Sequence, residues 1–466
     1  MKVSKSPRIL AAAGAGLIFA AFSGAASLAQ SPPGTVALSG AKIIPVVGDD
    51  IENGVIVIQD GKITAIGKAG EVEIPFDARE FDFTGKVIFP GMIDANTTNG
   101  LDVSNESRPI VPQLSAADSL DPSTLGLEDA LRNGITTLHV IPGPNTVIGG
   151  TGLLIRPIGM NVDEMTVAPA GFLRLSVSPR FGASRMTQMA QLRETFAKLR
   201  EYAGNLAETK YEEKLKKDEK EMDVGPVDAR KKGRELIEAD DVDMEHANLL
   251  RLIGGSIEIE GEKTKALFKP LGAFIHCQNA MDVPAALRLA EENGFANRTV
   301  LTLGGECFKA IDVLKKAARP VVLDGNLIHR EVDPFTGDEK ETFVPEKIAD
   351  AGLLFALTTG PSSSLPERML TYQAARCVRY GIPRSTALKS ITINPAKILG
   401  VSDQLGSIEV GKSANLVVFS GDPLDFDSHV EVAFIDGIPA YERSKDPRLQ
   451  RLMSYGKTDA TKKASE

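Results

Sequence analysis

Five histidines, at positions 139, 246, 276, 329 and 429, and three cysteines, Cys277, Cys307 and Cys377, are the side chains here best suited to a borderline metal ion. The cysteines are odd in number and form no CxxC pair, so neither a disulfide framework nor a zinc knuckle is indicated, and they are expected to be buried and reduced. A catalytic zinc uses about three protein ligands. His276 closes a short apolar run, Ala273 to His276, and reads as a hydrogen-bonded rim residue. His139 ends an earlier strand, where a substrate-contacting role and a satisfied core role both remain open. His246, His329 and His429 read as loop or surface residues. Four carboxylates near expected strand ends, Asp94, Asp118, Glu306 and Asp324, complete the pocket candidates, with Cys277 and Cys307 close by in sequence.

The elements that must position these groups change character along the chain. From Val36 to Pro90 short alternating strands are joined by turn residues, with Asp60-Gly61 a strong hairpin signal. From Lys86 the pattern becomes strand, loop, helix. Val87 to Asp94 reads as a strand, Leu127 to Asn133 as a helix, and Ile135 to Ile141 as the next strand. Ala273 to His276, Thr299 to Leu303, Val321 to Leu323 and Leu353 to Leu357 continue the series, with helices over Phe308 to Ala318 and Pro366 to Arg379. Repeated βα units with short apolar strands imply a parallel sheet closed into a barrel. Between Gln191 and Asp240 the chain is strongly charged, and pairs such as Glu212 with Lys216 favour an exposed helical hairpin. After Ile398 alternating strands return, at Gly406 to Val410, Ala414 to Ser420 and Val430 to Ile435, and the tail from Ser444 is polar and expected to fray.

With 466 residues, 42% hydrophobic and 25% charged, the chain can bury a large core. Its 53 Lys and Arg against 62 Asp and Glu leave no basic stripe for a polyanion, so nucleic acid is excluded as an expected partner. Residues 1–29 form a basic start, an apolar run from Ile9 to about Phe22, and the small-x-small ending Ser27-Leu28-Ala29. Cleavage after Ala29 and export to the periplasm or beyond are expected; an uncleaved membrane anchor is the alternative.

Three stretches carry a family resemblance. Gly85-Lys86-Val87-Ile88-Phe89-Pro90-Gly91-Met92-Ile93-Asp94-Ala95 resembles the opening of the barrel in the amidohydrolase superfamily. Thr392-Ile393-Asn394-Pro395-Ala396-Lys397-Ile398-Leu399-Gly400 is similar to its last barrel helix, and the run from Gly406 to Val418 to its returning β domain. The loop Gly149-Gly150-Thr151-Gly152 looks like that of the imidazolonepropionase-like group; taken alone it reads as a turn rather than a phosphate cradle. The resemblance implies a (β/α)8 TIM-like barrel, about 91–397, flanked by a β-sandwich built from both chain ends, 30–90 and 398–443. The charged insertion at about 191–240 and a tail at 444–466 complete the expected organisation.

The resemblance also implies one or two divalent metals, which would activate water for hydrolysis of a non-peptide carbon–nitrogen bond of the cyclic amide type. Residue by residue the ligands are missing. Asn96 and Thr98 stand where the family has two histidines, and Leu303 stands at the position of another. Gly360 replaces the catalytic Asp, and Leu173 or Arg174 falls at the position of the bridging Lys or Glu. His276 alone survives as a metal-ligand candidate. The expectation is therefore a degenerate metal site, with no cofactor unless zinc binds through other residues. Two further readings stay open: a non-catalytic barrel that binds a small-molecule ligand, and a pseudo-subunit paired with an intact paralogue. Otherwise a homo-oligomer is expected.

Overall fold

The structure, a computed structural model, describes residues 34–168, 171–359 and 369–454. The expected leader at 1–29 and Gly360 lie outside the described residues.

Both chain ends enter one eight-stranded sheet. Val36–Ile43 pairs antiparallel with Ile51–Gln59, which pairs with Lys62–Lys68 through the Asp60-Gly61 turn; both turn residues have positive φ. Val87–Pro90 lies between Val36–Ile43 and the C-terminal strand Leu416–Phe419, so the first and last thirds of the chain share a ladder. Val430–Ile435 and Ile438–Glu442 extend that side. The segment expected as a strand from Gly406 to Val410 is not one; Gly406 and Gly411 take positive φ there, which a continuous strand cannot accommodate.

The expected strand Val87 to Asp94 is two strands. Gly91 separates Val87–Pro90 from Met92–Thr97, and there the chain leaves one sheet for another. A Cβ at Gly91 would lie 2.0 Å from Thr136 Oγ1, so this crossing needs glycine for its close approach.

The inner strands form a four-stranded sheet and a six-stranded sheet. Met92–Thr97 pairs parallel with Ile135–Val140, and Phe172–Ser176, Gly272–Cys277, Thr299–Leu303, Val321–Leu323 and Phe355–Leu357 follow in parallel order. Between them Leu153–Ile155 runs antiparallel to Ile135–Val140, and Ile148–Thr151 antiparallel to Phe172–Ser176. The connection 141–147 is too short to carry a crossover helix, so the chain must reverse direction. This corrects the reading of Gly149-Gly150 as a turn: both are buried strand residues. A Cβ at Gly150 would meet the Leu114 carbonyl at 2.6 Å, and glycine lets the backbones touch. The two sheets enclose a shared inner core of Ala95, Ile141, Phe172, Phe274, Val300, Val322 and Ala356.

The charged region is more than a solvated hairpin. Arg185–Lys217 is one helix whose Leu192, Phe196, Leu199, Ala203 and Ala207 are buried in the main core, at the i, i+3, i+4 spacing of an apolar stripe. Pro226–Arg234 packs back against it, with Gly233 so close that a Cβ would lie 1.8 Å from the Ala207 carbonyl oxygen. The start of the tail is also docked rather than frayed. Asp446 accepts from Arg132 Nε at 2.8 Å and caps a helical turn through Arg448 N at 2.9 Å, and Arg132 holds its carboxyl down at about 2.

Candidate functional site

The parallel inner strands all end on one face, and alternation decides which side chains reach it. In Phe172–Ser176, Leu173 and Leu175 face the outer core while Phe172 belongs to the inner one, so Arg174 points inward. In Thr299–Leu303 the inner residue is Val300, which puts Thr302 on the inner side; Leu303 is buried in the outer core with Cys277, Leu301 and Leu323. The expectation for Leu303 is thus corrected: its side chain turns away from the site, and Thr302 fills the place. His276 points inward, as its strand partner Phe274 does.

Three of these residues meet. Arg174 is 2% exposed, and its guanidinium donates from Nε to the Pro142 carbonyl at 2.7 Å, from Nη2 to Asn96 Oδ1 at 2.6 Å and from Nη1 to Thr302 Oγ1 at 3.4 Å. The Thr302 hydroxyl also lies 3.3 Å from His276 Nδ1. Burial, reinforced by the Arg174 charge, pushes the His276 imidazole down to about 3, so it is neutral at ordinary pH. Arg174 therefore bridges the Asn96 position and, through Thr302, the His276 position.

Asp94 is held between strands. It is fully buried and ties the first inner strand to the last: both Thr358 and Thr359 hydroxyls donate to it, with the Asn96 amide at 3.2 Å and the Thr359 amide at 3.4 Å. Burial raises its carboxyl above the ordinary range, against those four hydrogen bonds. His139 is buried, and its Nε2 has no hydrogen-bond partner among the described residues. Its Nδ1 lies 2.9 Å from the Ala95 carbonyl, its ring packs on Phe274 and Phe172, and burial pulls it down to about 4.

The remaining candidates stand apart from this cluster. Thr98 accepts from Ser104 Oγ at 3.3 Å on the loop, and Glu306 pairs with Lys309 at 3.5 Å. Asp118 is exposed at the end of a short 3-10 turn. Cys277, Cys307 and Cys377 are buried, with Cys307 Sγ donating to the Cys277 carbonyl at 3.1 Å; burial pushes the Cys307 thiol up to about 12, which makes a reactive thiolate or metal ligand of it unfavourable.

Asp324 follows Val321–Leu323, and its carboxylate accepts the Asn326 amide at 2.9 Å. Burial raises it to about 6 from 3.8. Because the folded value is the higher, the contribution of this group is most favourable below the ordinary value and is lost as pH rises through about 6. Asp324→Asn is accordingly expected to match the native protein in urea unfolding at about pH 4 and to exceed it by about 1 to 3 kcal/mol at about pH 8. A variant less stable at the higher pH would contradict this.

A divalent metal does not fit this donor set. Among the described residues no three or more His, Cys, Asp or Glu side chains converge. The one imidazole is joined by an amide, a hydroxyl and a guanidinium, and that cation already holds the Asn96 oxygen. Sequence reasoning placed Arg174 within one residue but missed its inward direction, and it missed Thr302 and the Pro142 carbonyl. An arginine between two leucines in an otherwise apolar strand was the available signal.

Residues 338–458 match a family model described as the amidohydrolase family. Amidohydrolase tasK of Hapsidospora irregularis is 23% identical over 84% of this chain, which spans 40% of that protein's length. Imidazolonepropionase of Geobacillus sp. (strain WCH70) is 24% identical over 82% of this chain and 89% of its own. Among solved structures, an amidohydrolase from Thermotoga maritima MSB8 superposes with a TM-score of 0.69 at 28% identity, covering 88% of this chain and 100% of the other. That likeness implies a TIM-barrel fold of mixed α and β content. The chain is thus similar to the amidohydrolase superfamily and, within it, to the imidazolonepropionases.

Proposed function

We infer that this chain keeps the scaffold of a hydrolase of non-peptide carbon–nitrogen bonds, that its metal-dependent reaction is lost, and that the carboxyl-end face of the inner strands now binds a small molecule. One observation carries the reading: the Arg174 guanidinium lies 2.6 Å from Asn96 Oδ1 and reaches the His276 position through Thr302. A second positive charge beside it would be repelled in a site this dry. The reading includes a closed (β/α)8 barrel flanked by a β-sandwich, export directed by residues 1–29, and assembly either as a homo-oligomer or with an intact relative.

Elemental analysis of the purified protein tests it. Zinc, manganese and nickel are expected far below about one equivalent, with no turnover on cyclic amides, ureas or acylated dipeptides. Stoichiometric metal that disappears in His276→Ala would overturn the reading.

A further inference from the structure

Asp333-Pro334-Phe335-Thr336-Gly337-Asp338 joins the strands Ile328–Val332 and Glu339–Phe343, which among the described residues form a two-stranded sheet of their own. The five-residue ladder carries this tip about 14 Å away from Ile328. The tip is built, not loose. The Asp333 carboxylate accepts the Phe335 amide at 2.8 Å and the Thr336 amide at 3.0 Å, and the Asp333 and Gly337 amides donate to the Asp338 and Asp333 carbonyls at 2.9 Å each. Gly337 takes the positive φ that the reversal needs. This scaffold holds the Phe335 ring 95% exposed. Beside it Asp338 and Glu339 form no ion pair within 4.0 Å among the described residues. An aromatic ring held out on an ordered arm has the form of an interface anchor.

A groove of about 1010 Å³ lies at the foot of the same arm. Ile328 is part of its wall, and the Tyr380 ring stacks on Phe343 with 4.1 Å between centroids. Tyr372, Tyr380, Leu424 and Phe426 make much of the lining apolar, and Phe426 is 93% exposed. Arg376 and Arg379, one turn apart on the helix Leu370–Arg379, add positive charge; among the described residues neither lies within 4.0 Å of a carboxylate. The third arginine of the lining, Arg132, is already held by Asp129 and Asp446, while Asp425 is exposed on the loop that carries Phe426. Three arginines against two aspartates leave the groove net positive.

We propose that this groove receives the 333–338 tip of a second copy of the chain, so that two copies exchange arms about a two-fold axis. The proposal rests on the reading that the chain assembles as a homo-oligomer, and it deepens that reading by naming the interface. The tip offers what the groove lacks: an apolar ring for the aromatic lining, and the Asp338 and Glu339 carboxylates for the two guanidiniums. Arm and groove stand side by side on one copy, which is the arrangement that a two-fold axis turns into two identical contacts.

The test is sedimentation of the full-length protein over a concentration series, with light scattering to fix the mass. The native protein is expected to be a dimer. Phe335→Asp should weaken it by about thirtyfold or more, and Arg379→Glu by about tenfold. Both side chains are exposed, so each variant should keep the native melting temperature when measured as a monomer. Phe76→Asp, which alters an equally exposed ring on another part of the surface, should leave the dimer unchanged. A dimer of native affinity in both arm and groove variants overturns the proposal and leaves the homo-oligomer reading intact. A native protein that stays monomeric at every concentration overturns both.

Discussion

Replacing Asp94 with alanine is expected to lower the unfolding free energy by about 2 to 5 kcal/mol. The carboxylate is fully buried and accepts from the Asn96 and Thr359 amides and from the Thr358 and Thr359 hydroxyls. The Thr358 hydroxyl has a second acceptor, the Asn96 carbonyl at 2.7 Å, and can turn to it. The two amides cannot turn, and each would be left without its acceptor in a dry interior, at about 1 to 3 kcal/mol. The two amides donate to different oxygens, so Asp94→Asn keeps an acceptor for one of them and turns its NH2 toward the other, where only the neighbouring hydroxyl can reverse its donation; its loss should still be the smaller. Because ionising a buried carboxyl is itself costly, the gap between Asn and the native residue should narrow further as pH rises. Urea unfolding of the three proteins checks the order; an alanine variant within about 1 kcal/mol of the native protein would show that Asp94 does not join the first and last inner strands.

The second large effect separates neighbouring residues. Leu303→His should destabilise by about 2 to 4 kcal/mol, since an imidazole there enters a close-packed apolar core with Cys277, Leu301 and Leu323 and finds no partner. Thr302→His should cost markedly less, because Thr302 faces the polar end of the inner strands beside Arg174 and His276. Urea unfolding of both variants, with metal analysis of each, reads the parity of the strand directly. A stable Leu303→His protein that gains metal would mean that Leu303, and not Thr302, faces the site.

Much of this molecule was legible because its signals are local. The Asp60-Gly61 hairpin needs only two residues able to take positive φ between alternating strands, and the strand Val430–Ile435 lies where its alternation placed it. The reversal of Ile148–Ile155 was not legible, because a short apolar run with glycines fits a turn, a loop or a strand equally well until a neighbour fills the space. The buried stripe of Arg185–Lys217 was masked by the dense charge on its other faces.

The sequence by itself carried the resemblance to the superfamily, the order of most strands and helices, and the lack of an imidazole at Asn96 and Thr98, which holds whatever the fold does with those positions. Only the tertiary structure decided which side chains share the site. A one-residue change of parity turns a strand residue to the opposite face, which sent Leu303 outward and brought Thr302 and Arg174 inward. Whether Asp94 was a pocket acid or a tie between strands depended on Thr358 and Thr359, which stand 264 and 265 positions further along the chain. Such distances in sequence carry no local pattern; only the packing of the sheets brings the partners together.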